Sequence, residues 1–447
     1  MAKYQSYAEY KDSGVEWLGN VPQHWALVPC RAVVDHIVEK NSNNALDNYL
    51  SLMANIGVIK YEDKGDVGNK KPDDLSKCKI VRKGQLVINS MNYAIGSYGM
   101  SPYDGICSPV YIVLQAKKDV FLERFALRIF ENTPFQKYLA TFGNGILEHR
   151  AAINWEDIKN KYVPLPTLDE QKNILDFLDH ETTKIDHLIE KQQQLIELLK
   201  EKRQAVISHA VTKGLDPNVP MKDSGVEWLG KVPEHWVVKS YRLASRIYRG
   251  KFGHRPRNDP AFYDGDYPFI QTGDVARAGK YITSYSQTLN EKGKEVSQLF
   301  PKGTLMMAIA ANIGDIAILG FEAYAPDSVV GFKPNNDIDL EFLRYSFIAA
   351  LPALEQTSTQ STQANLNVER IGAVKGTFPS LQEQREIVGY LDNLLEQYRN
   401  LVKIAENAIS LMQERRTALI SAAVTGKIDV RNWQAPTVAE ADPELSA

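Results

Sequence analysis

The residues of this sequence best suited to chemistry are basic side chains gathered on one glycine-bearing segment. The stretch YRGKFGHRPRNDP carries five of them beside a single nearby acid, namely Arg249, Lys251, His254, Arg255 and Arg257. Guanidinium and ammonium groups of this kind hold phosphate oxygens. The glycines and prolines of the stretch predict a loop. We predict that this loop contacts phosphates, and the alternative is a solvated basic loop.

A second set of side chains could read base edges, which amide, carboxylate and forked groups can distinguish. In the second half of the chain these are Gln271, Thr272, Asp274, Arg277 and Lys280, and in the first half Asn89, Ser90, Asn92, Tyr93, Tyr98, Asn144 and Arg150. Lys60, with Lys64, Lys70 and Lys71, could neutralise phosphates. The alternatives are a tyrosine-lined hydrophobic turn at 89–99 and ordinary solvation of the lysines.

Motifs for other chemistry are missing. The sequence has no GxxxxGK[ST] phosphate loop and no GxGxxG opening a βαβ unit. NTPF at Asn132–Phe135 only faintly resembles a methyltransferase motif, and a turn between helices is the simpler interpretation. The eight histidines show no HxxxH or HExxH spacing. We therefore predict no catalytic residue and no metal site.

The elements that position these residues are duplicated. KDSGVEWLGNVPQHW at Lys11–Trp25 recurs as KDSGVEWLGKVPEHW at Lys222–Trp236. A second repeat aligns PLPTLDEQKNILDFLDH with the stretch that begins at Gly376, so that Leu168 corresponds to Leu381. Repeats of this length indicate two copies of one unit. The tryptophans of the short repeat most simply pack each domain against a helix base, and a partner-binding role is the alternative.

Each copy ends in a long predicted helix. Thr167 with Glu170 and Ser380 with Glu383 have the spacing of a capping box. Apolar residues then follow a heptad pattern, and we predict that these also form the faces that dock partners: Ile174, Leu178, Ile185, Leu188, Leu195 and Leu199, then Ile387, Leu391, Tyr398, Leu401 and Met412. Gly214 and Gly426 should end the helices. About 45 residues would make a rod of about 65 Å.

The predicted fold is therefore two α/β (α+β) domains separated by two long antiparallel coiled-coil helices, with an internal pseudo-two-fold repeat. The expected boundaries are 1–163 for the first domain, 164–215 for the first helix, 216–376 for the second domain, 377–430 for the second helix and 431–447 for a flexible tail. A single amphipathic face packed on its own domain is the alternative for each helix.

Composition limits the class of protein without identifying it. The chain has 447 residues, 44% of them hydrophobic, and a net charge of −3, so no global basic excess indicates nucleic acid. Three widely spaced cysteines predict neither a disulfide framework nor a zinc site, and they fit a cytoplasmic location. No apolar run approaches the length of a membrane span, so we expect no membrane partner.

These repeats resemble a known family. The duplicated chain with capped LxEQ helices ending in AVISHAVTKG and ALISAAVTGK is similar to the specificity subunit of type I restriction-modification systems. IVRKGQLVINSMNYAIGSYGMSPYDGICSPVYIVL and YPFIQTGDVARAGKYI look like target-recognition domains of that family. The resemblance implies that each domain reads one half of a bipartite site in double-stranded DNA, and that the helices set the spacer.

The resemblance also implies partners. Two methyltransferase subunits would dock on the helices, and two ATP-dependent restriction subunits, which translocate and cut DNA, would complete the complex. S-adenosylmethionine, ATP and magnesium would then belong to those partners, and this chain would bind no cofactor. The alternative function is a two-headed coiled-coil adaptor that bridges protein partners without recognising DNA.

Overall fold

The computed structural model describes residues 4–67, 70–143, 152–253, 258–310, 314–356 and 367–435. The chain divides into two compact units. Unit 1 comprises Met1–Gln192 together with Asn407–Ala447, and unit 2 comprises Gln193–Glu406. The long helices are shared between the units, so the compact units do not coincide with the domain boundaries drawn from the sequence.

The first half of the chain alternates short strands with short helices before its long helix. Its strands are β1 (Tyr10–Asp12), β2 (Asn20–Pro22), β3 (Ala26–Pro29), β4 (Val34–Ile37), β5 (Leu50–Met53), β6 (Gly57–Lys60), β7 (Lys79–Val81), β8 (Leu86–Asn89), β9 (Tyr98–Met100), β10 (Gly105–Cys107), β11 (Tyr111–Ala116) and β12 (Tyr162–Leu165). Its helices are α1 (Cys30–Val33), α2 (Glu123–Phe130), α3 (Thr133–Ala140), α4 (Trp155–Ile158) and the long α5 (Leu168–Lys213).

The main sheet of unit 1 is antiparallel, with strand order β4-β11-β8-β9. Its central strand β11 is an almost uninterrupted apolar run, which is expected of a strand covered on both faces. One face is covered by α2, whose Phe125, Ile129 and Phe130 are buried. The sheet therefore presents the turn between β8 and β9 at its end.

The second half follows the same plan with additional strands. Its strands are β13 (Met221–Asp223), β14 (Lys231–Pro233), β15 (Val237–Ser240), β16 (Ser245–Arg249), β17 (Tyr263–Phe269), β18 (Tyr281–Ile282), β19 (Gln287–Leu289), β20 (Gln298–Phe300), β21 (Leu305–Ala308), β22 (Ile316–Leu319), β23 (Ala323–Ala325), β24 (Val329–Pro334) and β25 (Lys375–Phe378). Its helices are α6 (Tyr241–Ala244), α7 (Thr272–Arg277), α8 (Glu291–Glu295), α9 (Leu340–Glu355), α10 (Val368–Ala373) and the long α11 (Leu381–Val424).

Unit 2 contains two larger sheets. One has the order β16-β24-β21-β22-β18 and is antiparallel except for its last pair, and the other has the order β19-β17-β23-β20. Helix α9 packs its buried Phe342, Leu343 and Phe347 into the core with α11 and the end of α5. Strands β16 and β17 flank the basic segment in sequence, and residues 249–253 of that segment lie in the described ranges.

The duplication is visible in the strands that flank each long helix. In unit 1, β3 pairs antiparallel with β12, so that Leu27 faces Pro164. In unit 2, β15 pairs in the same way with β25, so that Val238 faces Thr377. The hairpins β1–β2 and β13–β14 likewise have matching registers. Each short repeat is therefore held against the start of the long helix that follows it.

The two long helices run antiparallel. In unit 1, the Asn173 side chain lies 3.5 Å from the Arg431 carbonyl, and Arg416 lies 2.9 Å from Asp186. In unit 2, the last turns of α5 share one core with the first turns of α11. The helices end where Gly214 and Gly426 take φ angles of 79° and 73°. The predicted fold class is thus confirmed. No helix in the described ranges is long and apolar enough to cross a bilayer.

Candidate nucleic-acid interface

Each long helix begins at a buried carboxylate that the short repeat surrounds. Glu170, 4% exposed, accepts hydrogen bonds from Trp25 Nε1 at 3.0 Å and the Tyr7 hydroxyl at 2.8 Å, and His24 Nε2 lies 3.1 Å away. The predicted capping box is half formed, because the Thr167 hydroxyl does accept the Glu170 N–H at 3.3 Å. The carboxylate is used instead to fix the short repeat.

Unit 2 has the same arrangement at the start of its long helix, with one hydrogen-bond donor fewer. Glu383 accepts from Trp236 Nε1 at 3.0 Å, and His235 Nε2 lies 3.0 Å from the same carboxylate. Trp17 and Trp228 also correspond, since their indole N–H groups donate to the carbonyls of Tyr162 and Lys375. The tryptophans of the short repeat are therefore structural, as the simpler interpretation predicted.

Removing the carboxylate at the start of the long helix should destabilise unit 1 more than unit 2. Glu170→Ala leaves the buried Trp25 and Tyr7 donors unpaired, and each such group costs about 1–3 kcal/mol, so we expect a loss of about 2–3 kcal/mol. Glu383→Ala should cost about 1–2 kcal/mol, since only Trp236 is left buried and unpaired. Urea denaturation monitored by tryptophan fluorescence measures both losses. Equal losses, or a similar loss in the exposed Glu197→Ala, would contradict this account.

Strand β16 delivers the first predicted phosphate-binding residues of unit 2. Arg249, its last residue, is exposed, and Lys251 is exposed two residues later. Between them, Gly250 passes so close to the start of β24 that a Cβ there would lie 1.8 Å from the Pro326 carbonyl oxygen and 2.5 Å from that of Val329. This close approach fixes where the basic loop leaves the sheet.

A cavity of about 240 Å³ opens beside Phe252, the residue that follows Lys251. The cavity is lined by Phe252, Asn258, Tyr263, Phe269, Gln271, Thr272, Gln287, Pro326 and Ser328. Phe252 and Tyr263 stack with ring centroids 5.8 Å apart, and the Gln271 amide donates to Gln287. Aromatic faces and amide groups in one concave surface suit a planar heterocycle with polar edges. Gln271 and Thr272 line this cavity together, and their contact with bases stays a prediction.

Three predicted contacts of unit 2 have other partners. Asp274 is 5% exposed and caps α7 by accepting the Gln271 N–H at 2.9 Å, so it is not a base reader. Arg277 is exposed but forms an ion pair with Asp274 at 2.5 Å.

Lys280 lies 2.9 Å from Asp392 on α11 and also pairs with Glu341 on α9. Burial would lower the pKa of Lys280, but hydrogen bonds to both carboxylates outweigh burial and raise that pKa. The lysine therefore fixes this part of the domain to the long helix, and its predicted contact with DNA, which would compete with these two ion pairs, stays a prediction.

The unit 1 site is a smaller cavity of about 150 Å³ at the end of the main sheet. Its lining comprises Tyr49, Ser51, Leu52, Met53, Ala54, Lys64, Asn89, Asn92, Ile95, Ser97 and Tyr111. Asn89 ends β8, and its side-chain oxygen accepts the Met91 N–H at 3.1 Å, which orients the amide inside the turn. The structure thus brings the predicted Asn89 and Asn92 together at one concave surface.

Other predictions for unit 1 are corrected by burial. Tyr93 is 3% exposed, and its hydroxyl donates to the Phe130 carbonyl, so it belongs to the core. Tyr98 packs edge-on against Tyr93, with centroids 5.7 Å apart, and burial raises its pKa. Lys64 is 8% exposed and donates to the Val67 carbonyl at 2.6 Å, so it is not a surface phosphate contact.

The remaining predicted contacts are exposed or lie elsewhere. Lys60 is exposed, with its ammonium 5.5 Å from the Tyr103 ring centroid, and Ser90 is half-buried with its carbonyl accepting the Ile153 N–H. Lys70 is exposed, and Lys71 donates to the Asp47 carbonyl. Five predicted residues lie outside the described part of the chain: Asn144, Arg150, His254, Arg255 and Arg257.

The predicted docking residues of the long helices separate into two groups. Those near the ends are buried in the core of their own unit and are not available to partners: Ile174, Leu178 and Ile185 in unit 1, with Ile387 and Leu391 in unit 2. Met412 and Tyr398 are partly buried against the same cores. Those nearer the middle remain accessible, with Leu188 40%, Leu195 41% and Leu401 46% exposed, and Leu199 half-buried.

Sequence reasoning missed several residues that line the two cavities. Gln287 and Ser328 in unit 2, like Ser51 in unit 1, come from segments outside the predicted motifs, whereas Asn258 and Ser97 lie inside predicted stretches but were not singled out. Gln287, Ser328 and Ser51 are isolated polar residues without a motif of their own, so only the folded chain brings them to the site. In the described ranges, no group of His, Cys, Asp or Glu could hold a metal ion.

Comparisons with known proteins agree with the duplication. The family described as the type I restriction modification DNA specificity domain matches residues 36–198 and 252–409. The type I restriction enzyme EcoKI specificity subunit of Escherichia coli K12 is 21% identical over 444 residues, which cover 93% of this chain and 92% of that protein. The MjaIX specificity subunit of Methanocaldococcus jannaschii is 28% identical over 186 residues, covering 40% of this chain and 43% of that protein.

Solved structures share the fold. A chain from a type I restriction-modification system, solved in a study of complex assembly and conformational transition, matches 91% of this chain and 99% of its own length, with a TM-score of 0.69 and 16% identity. The HsdS subunit from Thermoanaerobacter tengcongensis matches 91% of this chain and 98% of its own length, with a TM-score of 0.51 and 17% identity.

Proposed function

This chain belongs to the type I restriction modification DNA specificity family, and from that premise we propose that each unit reads one half of a two-part DNA sequence. The resemblance found in the sequence is confirmed by this membership. The observation that carries the proposal is that the family matches twice, once in residues 36–198 and once in residues 252–409. Two recognition domains that differ in sequence would read two different half-sites.

The two cavities support the proposal that each unit reads its own half-site. In unit 2, the exposed Arg249 and Lys251 stand beside a cavity that contains Gln271 and Gln287. In unit 1, Asn89 and Asn92 line a separate cavity. Basic residues position a duplex through its phosphates, and amides discriminate base edges, with each well-formed pair worth about 1–3 kcal/mol. We assign specificity to the amides and affinity to the basic residues.

The helices would space the two recognition domains and dock two methyltransferase subunits. Exposed leucines near the middle of α5 and α11 support docking, because apolar side chains on a helix surface gain free energy when a partner covers them. S-adenosylmethionine, ATP and magnesium would be bound by the methyltransferase and restriction subunits and not by this chain. The chain itself would carry no catalytic residue.

The proposal is tested by combining the purified chain with a type I methyltransferase subunit. We expect the complex to methylate one two-part sequence with an unread spacer, because two separate domains read it. The chain alone should transfer no methyl group. Mapping methylated positions on genomic DNA decides the question. Stable complexes with no sequence preference would favour the adaptor function instead.

The basic residues of unit 2 should set the salt dependence of DNA binding. For the double variant Arg249→Ala with Lys251→Ala, we expect the slope of log K against log salt to fall by about two, because each lost phosphate contact removes about one. Preference among DNA sequences should change little. Fluorescence anisotropy from 50 to 300 mM salt measures the slope. Lys172→Ala on the exposed surface of α5 is the control, and an equal change there would refute the assignment.

A further inference from the structure

Unit 2 contains an arginine cluster, formed by Arg203 on α5, Arg344 on α9 and Arg399 on α11. The three helices meet here, since the Gln204 amide donates to the Ile348 carbonyl at 3.1 Å and the Tyr345 hydroxyl donates to Asp392 at 2.6 Å. Arg344 is only 8% exposed. Its guanidinium lies 5.3 Å from the Tyr345 ring, and its buried Nε has no hydrogen-bond partner.

The cluster is a concentration of positive charge with little compensation. Arg203 is exposed on α5, but partial burial of its guanidinium lowers its pKa, and the charge on Arg344 lowers it further, against an opposing effect of Tyr345 and with a smaller lowering by Arg399. Arg399 pairs with Glu396 at 2.6 Å, but that arginine is 72% exposed, so the pair is worth little. Among the described residues, no carboxylate forms an ion pair with Arg203 or Arg344. The nearby Asp392 is already engaged by Lys280 and Tyr345.

The corresponding place in unit 1 shows what would satisfy such a cluster. By the alignment of the long helices, Arg416 on α11 corresponds to Arg203, and Asp186 on α5 corresponds to Arg399. In unit 1 these two form an ion pair at 2.9 Å. The arginine therefore has a carboxylate as its partner in unit 1, whereas the aligned position in unit 2 is a second arginine.

The third arginine shows the same contrast. Arg128 on α2 follows Leu127 as Arg344 follows Leu343, and both lie on the helix that packs beside the long helix. Arg128 pairs with Glu131 at 2.5 Å and lies 3.7 Å from Asp179. At the position of Glu131, unit 2 has the buried Phe347. Asp392 stands at the position of Asp179 but is engaged by Lys280 and Tyr345, so Arg344 and Arg203 lack the ion pairs that Arg128 and Arg416 form in unit 1.

A buried guanidinium without an acceptor is costly, because it loses hydration without gaining a hydrogen bond. Arginine forks bind carboxylates through paired hydrogen bonds, and carboxylates are the groups that fill this place in unit 1. Exposed apolar residues share the same helices in unit 2, with Leu198 60% and Ile404 64% exposed. Arginine is enriched at protein interfaces, and the exposed apolar side chains beside it would gain free energy when a partner protein covers them.

We propose that the arginine cluster of unit 2 receives an Asp or Glu carboxylate from the methyltransferase subunit that docks on this end of the helices. This inference rests on the proposed function and identifies one anchor of that docking. The carboxylate would form hydrogen bonds with Arg344 and Arg203 and would neutralise the repulsion within the cluster. The two ends of the duplicated chain would then differ chemically, since unit 1 supplies its own carboxylates at the corresponding place.

The test is a variant that should stabilise the free chain and weaken the complex. Arg344→Met removes an unpaired buried charge but keeps an apolar side chain of similar length, so we expect Tm of the chain alone to rise by about 2–4 °C. Affinity for the methyltransferase subunit, measured by isothermal titration calorimetry, should fall at least about tenfold. Arg399→Asp, which restores the arrangement of unit 1, should act in the same directions. The matched control Arg128→Met should lower Tm.

The outcomes separate the proposals. If the wild-type chain binds the methyltransferase subunit and Arg344→Met binds it equally well, the arginine cluster is not an anchor. If Arg344→Met weakens DNA binding by the preassembled complex but not assembly, a DNA phosphate is the ligand and the carboxylate proposal is overturned. If the wild-type chain binds no methyltransferase subunit, the docking part of the proposed function falls together with this inference.

Discussion

Removal of one heptad from each long helix is expected to bring the two methylated half-sites about three base pairs closer together. Deleting Leu188–Gln194 from α5 and Leu401–Asn407 from α11 keeps the antiparallel apolar register. Seven residues shorten a helix by about 10 Å, which is the rise of about three base pairs. Both half-site sequences should be unchanged, because the deletions lie outside the recognition domains.

Three fewer base pairs also turn one half-site by about a third of a helical turn relative to the other, which could abolish activity instead. Methylation mapping of the variant with its partners measures the new spacing. The control is a single-helix deletion, which breaks the pairing and should abolish methylation altogether. An active double-deletion variant that still modifies the original spacing would show that the helices do not determine the distance.

Gly250→Ala is expected to produce the largest loss of stability of any single substitution considered for unit 2. A methyl group there would lie 1.8 Å from the Pro326 carbonyl oxygen, so the backbone of one segment must move. Overpacking against backbone that cannot yield should cost at least about 3 kcal/mol. In a unit of this size that corresponds to a fall in Tm of about 10 °C.

The same substitution should weaken DNA binding, because Gly250 fixes the direction in which Arg249 and Lys251 leave the sheet. Thermal unfolding by circular dichroism, together with anisotropy measurements on labelled DNA, covers both effects. Gly279→Ala is the matched control in the same domain, since nothing lies within 4 Å of its added methyl group. If the two variants unfold at the same temperature, the close approach at Gly250 has no energetic importance.

The repeated parts of the fold were predictable from sequence because the same pattern in both copies supports one interpretation. The long helices, the glycines that end them and the structural tryptophans followed from periodicity and duplication. The role of Glu170 was only partly predicted. The spacing from Thr167 predicted a helix cap. The Glu170 carboxylate instead accepts a hydrogen bond from the Trp25 indole, which lies 145 residues away in sequence.

The candidate site was less predictable because local sequence does not reveal what a side chain will contact. Lys280 is of a residue type that often contacts DNA, yet in the folded chain it forms ion pairs with Glu341 and Asp392. Tyr93 lies in a polar turn, yet its ring faces the core. Conversely, Gln287 carries no motif, and only the pairing of β19 with β17 brings it beside Gln271.

The discontinuity of unit 1 has a consequence for the order of folding during synthesis. Unit 2 is one continuous segment, Gln193–Glu406, whereas unit 1 needs Asn407–Ala447 to be complete. The contact between Lys427 and the Asn20 carbonyl joins positions 407 residues apart. At about 5–20 residues per second, the ribosome needs about 20–80 s to make the intervening chain. We therefore expect unit 2 to complete its fold while the last segment of unit 1 is still being synthesised.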